Sequence, residues 1–159
     1  MHFRRSFLTL LLIVFVVLGA VPFLVARAWP QTFPEPWTAA QTVQPADLAK
    51  ELGGQSAPTV LFVGFERLYN AGRIKGAQFH GIGNSPEGLA EIRKWAEPMP
   101  RSTNLVIYCG CCPMGKCPNI RPVFSMLHDM GFTKFRVLIL PTSFAVDWAE
   151  AGLPFDHGR

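Results

Sequence analysis

The sequence predicts an α/β domain, an open parallel β-sheet flanked by helices and preceded by an N-terminal hydrophobic helix. Two observations predict it. From Thr42 onward short apolar runs alternate with segments of helical periodicity, the order that places helices on the faces of a parallel sheet. Before that, Phe7 to Val25 is a run of nineteen residues without a charge, led in by Arg4 and Arg5. A third observation locates the chemistry: all four cysteines of the chain fall between Cys109 and Cys117.

The 159 residues fit one compact domain, and 49% hydrophobic with only 16% charged residues excludes general disorder. The net charge of +4 comes with no basic run and no aromatic-interleaved basic stripe, so no nucleic-acid partner is expected. The apolar excess is N-terminal. Its uncharged run exceeds the ~7 to 15 residues of a signal h-region and reaches the ~18 of a spanning helix. Ala26-Arg27-Ala28 follows with small residues at the spacing of a signal-peptidase site. Residues 1–28 therefore read as a signal peptide or a membrane anchor, and both stay open; if uncleaved, residues 7–25 meet the membrane. Arginines held on the cytoplasmic side place the remainder outside. The expected location is exported, periplasmic or on the extracytoplasmic face of the membrane, anchored or released. Residues 29–41, with Pro30, Pro34 and Pro36, read as a stiff spacer, and 42–159 as the domain.

Within the domain, Pro45 suits the first turn of a short helix with Leu48 and Leu52 on one face and Gly53 at its end. Thr59 to Val63 reads as a buried strand and Ala77 to Phe79 as a shorter one. Ser85 is placed to cap a helix carrying Leu89, Ile92 and Trp95 or Ala96 at helical spacing. Asn104 to Tyr108 is the next strand. Asn119 is expected to cap a helix whose Ile120, Val123, Phe124, Leu127 and Met130 share one face, closed by Gly131. Arg136 to Leu140 reads as the last strand and Ser143 to Ala151 as the last helix. Asp147 and Glu150 are expected in solvent, His128 on the surface, and His80 in a plain hydrogen-bonding role.

The cysteines stand in Cys109-Gly110-Cys111-Cys112-Pro113-Met114-Gly115-Lys116-Cys117, between a strand and a helix. A loop leaving the C-terminal end of a parallel strand lies where open α/β sheets bind ligands, and the following helix N-terminus favours an anion. Cys109 is the candidate nucleophile, with a lowered thiol pKa expected from that position and from Lys116 and Arg121 nearby. Gly110, Gly115, Lys116 and Arg121 are the candidate anion- or substrate-binding residues. Cys111, Cys112 and Cys117 are candidates to accept sulfur from Cys109 or to resolve it as a disulfide. Rival chemistries are a metal site, for which C-x-C-C-x4-C lacks the usual separated pairs, dithiol exchange by Cys109 and Cys112, and structural disulfides. No metal and no cofactor is expected.

The segment from about Thr42 to Pro154 resembles the rhodanese (sulfurtransferase) family. Leu68-Tyr69-Asn70-Ala71-Gly72-Arg73-Ile74-Lys75-Gly76-Ala77 is similar to its E-Y-x-x-G-H-I-x-G-A signature, with Arg73 in place of histidine. Leu105-Val106-Ile107-Tyr108-Cys109 resembles the strand ending in its catalytic cysteine. Gly131-Phe132 with Val137-Leu138, and Trp148-Ala149-Glu150-Ala151-Gly152-Leu153-Pro154, resemble its G-F…V…L and W-x-x-A-G-x-P. Phe62-Val63-Gly64 stands where the family carries D-x-R, and the cysteine loop is longer than usual. The related phosphatase branch needs arginine six residues after the cysteine, where this chain has Gly115. The four-cysteine loop looks like that of exported bacterial rhodanese-like proteins. The resemblance implies a rhodanese-like sheet and sulfane-sulfur transfer from a thiosulfate-type donor to a thiophilic acceptor through a persulfide on Cys109. Its partners are then a small sulfur-containing substrate or a thiol acceptor.

Overall fold

A computed structural model describes residues 35–158. The expected signal or anchor and residues 29–34 of the spacer lie outside these residues. Among the described residues no helix is long and apolar enough to cross a membrane.

A 3-10 turn, Ala39–Gln41, leads into β1 (Thr42–Val43), followed by α1 (Pro45–Leu52), β2 (Thr59–Phe62), α2 (Glu66–Ala71), β3 (Gly72–Ile74) and β4 (Gln78–Phe79). Then come α3 (Pro86–Ala96), β5 (Leu105–Tyr108), a 3-10 turn at Met114–Lys116, α4 (Ile120–Asp129), β6 (Phe135–Leu138), a π-helical turn at Ala145–Ala149 and β7 (Phe155–His157). The main sheet has five strands in the order β1-β6-β5-β2-β4, and every pairing in it is parallel. The small strands β3 and β7 pair antiparallel, Gly72 opposite His157. The α/β reading of the sequence is what the chain forms.

Side-chain alternation in the strands divides the core. Leu61, Val63, Leu105 and Ile107 pack with Ile92 and Ala96 of α3 and with Val123, Phe124 and Leu127 of α4. Val60, Phe62, Val106 and Tyr108 pack on the other face with Leu48 of α1 and with Trp148. Cys109 continues the β5 alternation onto the α3 and α4 side. Ser85 caps α3 as expected, its hydroxyl accepting from Gly88 N–H at 3.0 Å.

The motif residues act as staples. Tyr69 donates its hydroxyl to Ala77 C=O at 2.8 Å, Tyr108 Oη accepts from Ile74 N–H at 3.1 Å, and Trp148 Nε1 donates to Pro154 C=O at 2.9 Å. Each ties a connection to the framework at a buried or half-buried site, where an unpaired polar group costs about 1 to 3 kcal/mol.

Two expectations change near the C-terminus. The helix read from Ser143 to Ala151 is a single π-helical turn. Asp147, expected in solvent, is half-buried and accepts from Thr142 N–H at 2.6 Å and Ser143 N–H at 2.9 Å. The carboxylate replaces the missing helical partners of those N–H groups, while the Trp148 indole holds the chain turned toward Pro154.

Candidate active site

From β2 the chain crosses to β4 on one side, and from β5 to β6 on the other, so the connections diverge between β2 and β5. Open α/β sheets place their crevice beyond the C-terminal ends of such neighbours. The residues following these two strands meet there. A Cβ added at Gly64 would lie 2.6 Å from the Phe62 ring and 3.0 Å from Cys109 Sγ, so glycine alone leaves room for that sulfur.

Gly110 turns the chain off β5 with φ +69°. A Cβ there would fall 2.6 Å from Cβ of Phe144, so both the left-handed backbone and the close approach require glycine. Its carbonyl accepts from Phe144 N–H at 3.0 Å, which joins the cysteine loop to the C-terminal turn. Gly115 is exposed with nothing within 4 Å of an added Cβ, and no steric need for glycine exists there.

The loop folds three sulfurs together. Cys109 Sγ is 3.0 Å from Cys111 Sγ, and Cys109, Cys111 and Cys117 all place their sulfurs within 4.8 Å of one another. Cys112 Sγ adds a contact of 3.3 Å to Cys111. All four cysteines are free thiols, Cys109 and Cys117 buried and Cys111 and Cys112 half-buried. Cys109 has Cys111 and Cys117 for sulfur partners rather than the C-x-x-C partner Cys112 that the sequence suggests. The trio is close enough to ligate one thiophilic ion.

Asn119 is the residue the sequence misreads. Its backbone, at φ −87° and ψ −32°, is already helical, and its side chain caps nothing. The amide instead donates from Nδ2 to Cys109 Sγ at 3.3 Å and reaches Cys111 Sγ at 3.8 Å. Asn119 is 0% exposed, and its Oδ1 finds no hydrogen-bond partner. A buried amide aimed at a sulfur is a donor for negative charge on that sulfur.

The electrostatics also depart from expectation. The depressed thiol is Cys117 and not Cys109. Cys117 is lowered to about 6, first by the hydrogen bond from Cys109 and then by the N–H groups of Asn119 and Ile120 at the head of α4. Cys109 is pushed up, first by that same hydrogen bond, then by burial and by Cys111. Cys112 is raised to about 12, chiefly by burial. A thiolate in the cluster is thus favoured at Cys117, while the Cys109 thiol points at Cys111 Sγ 3.0 Å away. The helix N-terminus acts where the sequence places it, but on the cysteine two residues ahead of Asn119.

The expected cations lie elsewhere. Lys116 is exposed in the 3-10 turn. Arg121 donates to Cys117 C=O at 2.7 Å and to Glu35 at 2.5 Å, and its guanidinium stands 5.7 Å from the Trp37 ring centroid. Trp37 in turn meets Phe124 edge-on at 5.4 Å, so this end of the spacer packs on α4. His80 hydrogen-bonds Gln78 Oε1 at 3.1 Å and His128 is exposed beside Asp129, as the sequence suggests, and the His80 ring also stacks on Trp95 at 4.6 Å.

No protein-family model and no curated protein matches the sequence. Solved structures do. The solution NMR structure of the rhodanese-like domain of the Anabaena sp. Alr3790 protein matches with TM-score 0.54 and 21% identity, over 74% of this chain and 79% of that one. A crystal structure of the Alr3790 protein matches with TM-score 0.53 and 21% identity, over 73% and 92%. A structure of EanB as a cysteine persulfide in a tetrahedral intermediate state with ergothioneine matches with TM-score 0.54 and 19% identity, over 73% of this chain and 28% of that one. The likeness is one of fold, and it agrees with strand order and loop position: residues 35–158 adopt the rhodanese-like fold, with the four-cysteine loop at the C-terminal edge of its sheet.

Proposed function

We propose that the domain is a sulfurtransferase that carries sulfane sulfur as a persulfide on Cys109. The single observation that carries this reading is the hydrogen bonding of Cys109 Sγ. At the end of the middle strand it donates to Cys111 Sγ at 3.0 Å and accepts from the buried amide of Asn119 at 3.3 Å, with Cys117 Sγ within 4.8 Å. As Cys109 attacks the outer sulfur of a donor X–S⁻, its proton passes to the Cys117 thiolate. The S–X bond breaks, X⁻ leaves with the bond pair, and Cys109 holds –S–S⁻ beside Asn119 Nδ2. A thiophilic acceptor then takes the outer sulfur, and Cys109 leaves as thiolate and recovers the proton. Cys111, in contact with Cys109 and with Cys112, is the nearest internal acceptor. The persulfide recorded for EanB on a similar fold supports the same chemistry. With residues 1–28 as its address, the domain works on the extracytoplasmic side.

Intact mass after incubation with thiosulfate tests this. Native protein is expected to gain one sulfur that cyanide removes, and Cys109→Ser is expected to lose the gain together with at least about a thousandfold of thiosulfate:cyanide turnover. Full turnover in Cys109→Ser would refute the assignment. A second reading, a thiolate site for a soft metal ion, is favoured by the three clustered sulfurs. It predicts bound metal in protein purified without chelator, and no gain of sulfur.

A further inference from the structure

A cavity of about 310 Å³ reaches Cys109 and Gly110 from the face of the sheet opposite α3 and α4. Its walls are Phe62 from β2, Leu68 from α2, Phe144 and Ala149 from the C-terminal turn, and Phe155 from β7. Among the described residues lining it none carries a charge, and Ser143 supplies a polar side chain. The main-chain donors at its C-terminal side are engaged: Phe144 N–H by Gly110 C=O, and Thr142 and Ser143 N–H by the carboxylate of Asp147. A dianion such as thiosulfate would leave water for a wall that offers little in return. An apolar group would instead gain by burial, and the volume matches the low end of small-molecule sites. Phe62 stands where the resemblance expects an acid, which makes this wall apolar.

We infer that the cavity binds the apolar organic group of the sulfur donor, so that the preferred donor is a sulfane sulfur carried on a hydrophobic carrier rather than free thiosulfate. The inference rests on the persulfide reading above. For a thiosulfonate the step is R–SO2–S⁻ plus Cys109 thiolate giving Cys109–S–S⁻ plus R–SO2⁻. The S–S bond of the donor breaks, a new S–S bond forms on Cys109, and the electron pair leaves on the sulfinate. Along an alkyl series that chemistry is constant and only the tail changes.

The test is kcat/KM for sulfur loading of the native domain with thiosulfate and with methane-, propane-, pentane- and benzenethiosulfonate, followed by intact mass. A rise of about fourfold per methylene is expected until the cavity is filled, from about 0.8 kcal/mol per buried methylene and 1.36 kcal/mol per tenfold. Ala145→Trp, at an exposed lining position, is expected to flatten the series. Loading that is flat along the series, or fastest with thiosulfate, overturns the inference and leaves the persulfide intact. Loading of Cys109 by none of the donors overturns the persulfide reading itself.

Discussion

Cys109 stands between two unlike regions. On the α4 side it meets sulfur and donors: Cys111, Cys117 and the Asn119 amide, with the head of α4 behind them. On the opposite face lies an aromatic and aliphatic cavity without a charge among its described lining residues. Both are held by one strand end, since alternation along β5 sends Cys109 with Ile107 to one side and Tyr108 to the other. The difference separates two tasks. The sulfur side sets where a proton and a negative charge reside, and the apolar side sets what can approach. Sulfur is soft and weakly hydrated, so such a site can work with N–H and S–H donors where a phosphate site would need arginines.

The comparison breaks first at Cys117. If its thiolate receives the Cys109 proton, sulfur loading should fall away on the acid side near pH 6, where Cys117 is protonated. Cys117→Ser should move that limb up toward ordinary thiol values and lower the rate at pH 7 by about a hundredfold. An unchanged acid limb would remove Cys117 from the proton path. The same shift is a statement about folding. A thiol lowered to about 6 from 9.0 stabilises the folded chain fully above the unfolded value and progressively less as pH falls toward 6. The Tm advantage of native protein over Cys117→Ser should therefore be larger at pH 8 than at pH 6.

A smaller effect is expected at Asn119. Asn119→Ala removes the donor to Cys109 Sγ, and a hydrogen bond to a charged group is worth about 1.5 to 3 kcal/mol. Sulfur loading should drop by at least about tenfold, with KM for the donor little changed because the amide faces sulfur and not the cavity. Asn119→Asp should be worse, since a carboxylate would then face the persulfide. An Asp variant as active as native would show that Asn119 only packs.

These contrasts also mark what could be read in the sequence. The helices with an apolar stripe, α3 and α4, and the apolar strands β2 and β5 were legible because burial imposes their periods. The four cysteines announced the reacting loop. Asn119 did not announce itself, because an asparagine ahead of a helical pattern reads as a cap. Only the αR backbone at that position frees its amide for sulfur. The depressed thiol was misplaced for a related reason: the motif indicates the first cysteine, but folding brings Cys117 to the N–H groups of α4. The cavity was invisible, since Phe62 and Leu68 on one side and Phe144 and Phe155 on the other come from two distant stretches of the chain. Strands β1, β3 and β7, of two or three residues, leave too short a pattern to detect.

The smallest expected effect concerns the two cations that sequence proximity recommends. Lys116 is exposed, and an exposed ammonium is screened and adds little to an anion held by buried donors. Lys116→Ala should change sulfur loading by less than about twofold and lose even that at high salt. Arg121 differs, because its guanidinium bridges Cys117 C=O, Glu35 and the Trp37 ring. Arg121→Ala should act through position: the loop end at Cys117 loosens, and the acid limb near pH 6 broadens or shifts while loading at high pH is retained. Arg121→Lys should restore little, since one ammonium cannot reproduce the planar fork that reaches two oxygens. A large loss in Lys116→Ala at physiological salt would show that the donor is read by its charge at the loop surface, and would overturn the division between a sulfur-handling side and an uncharged approach.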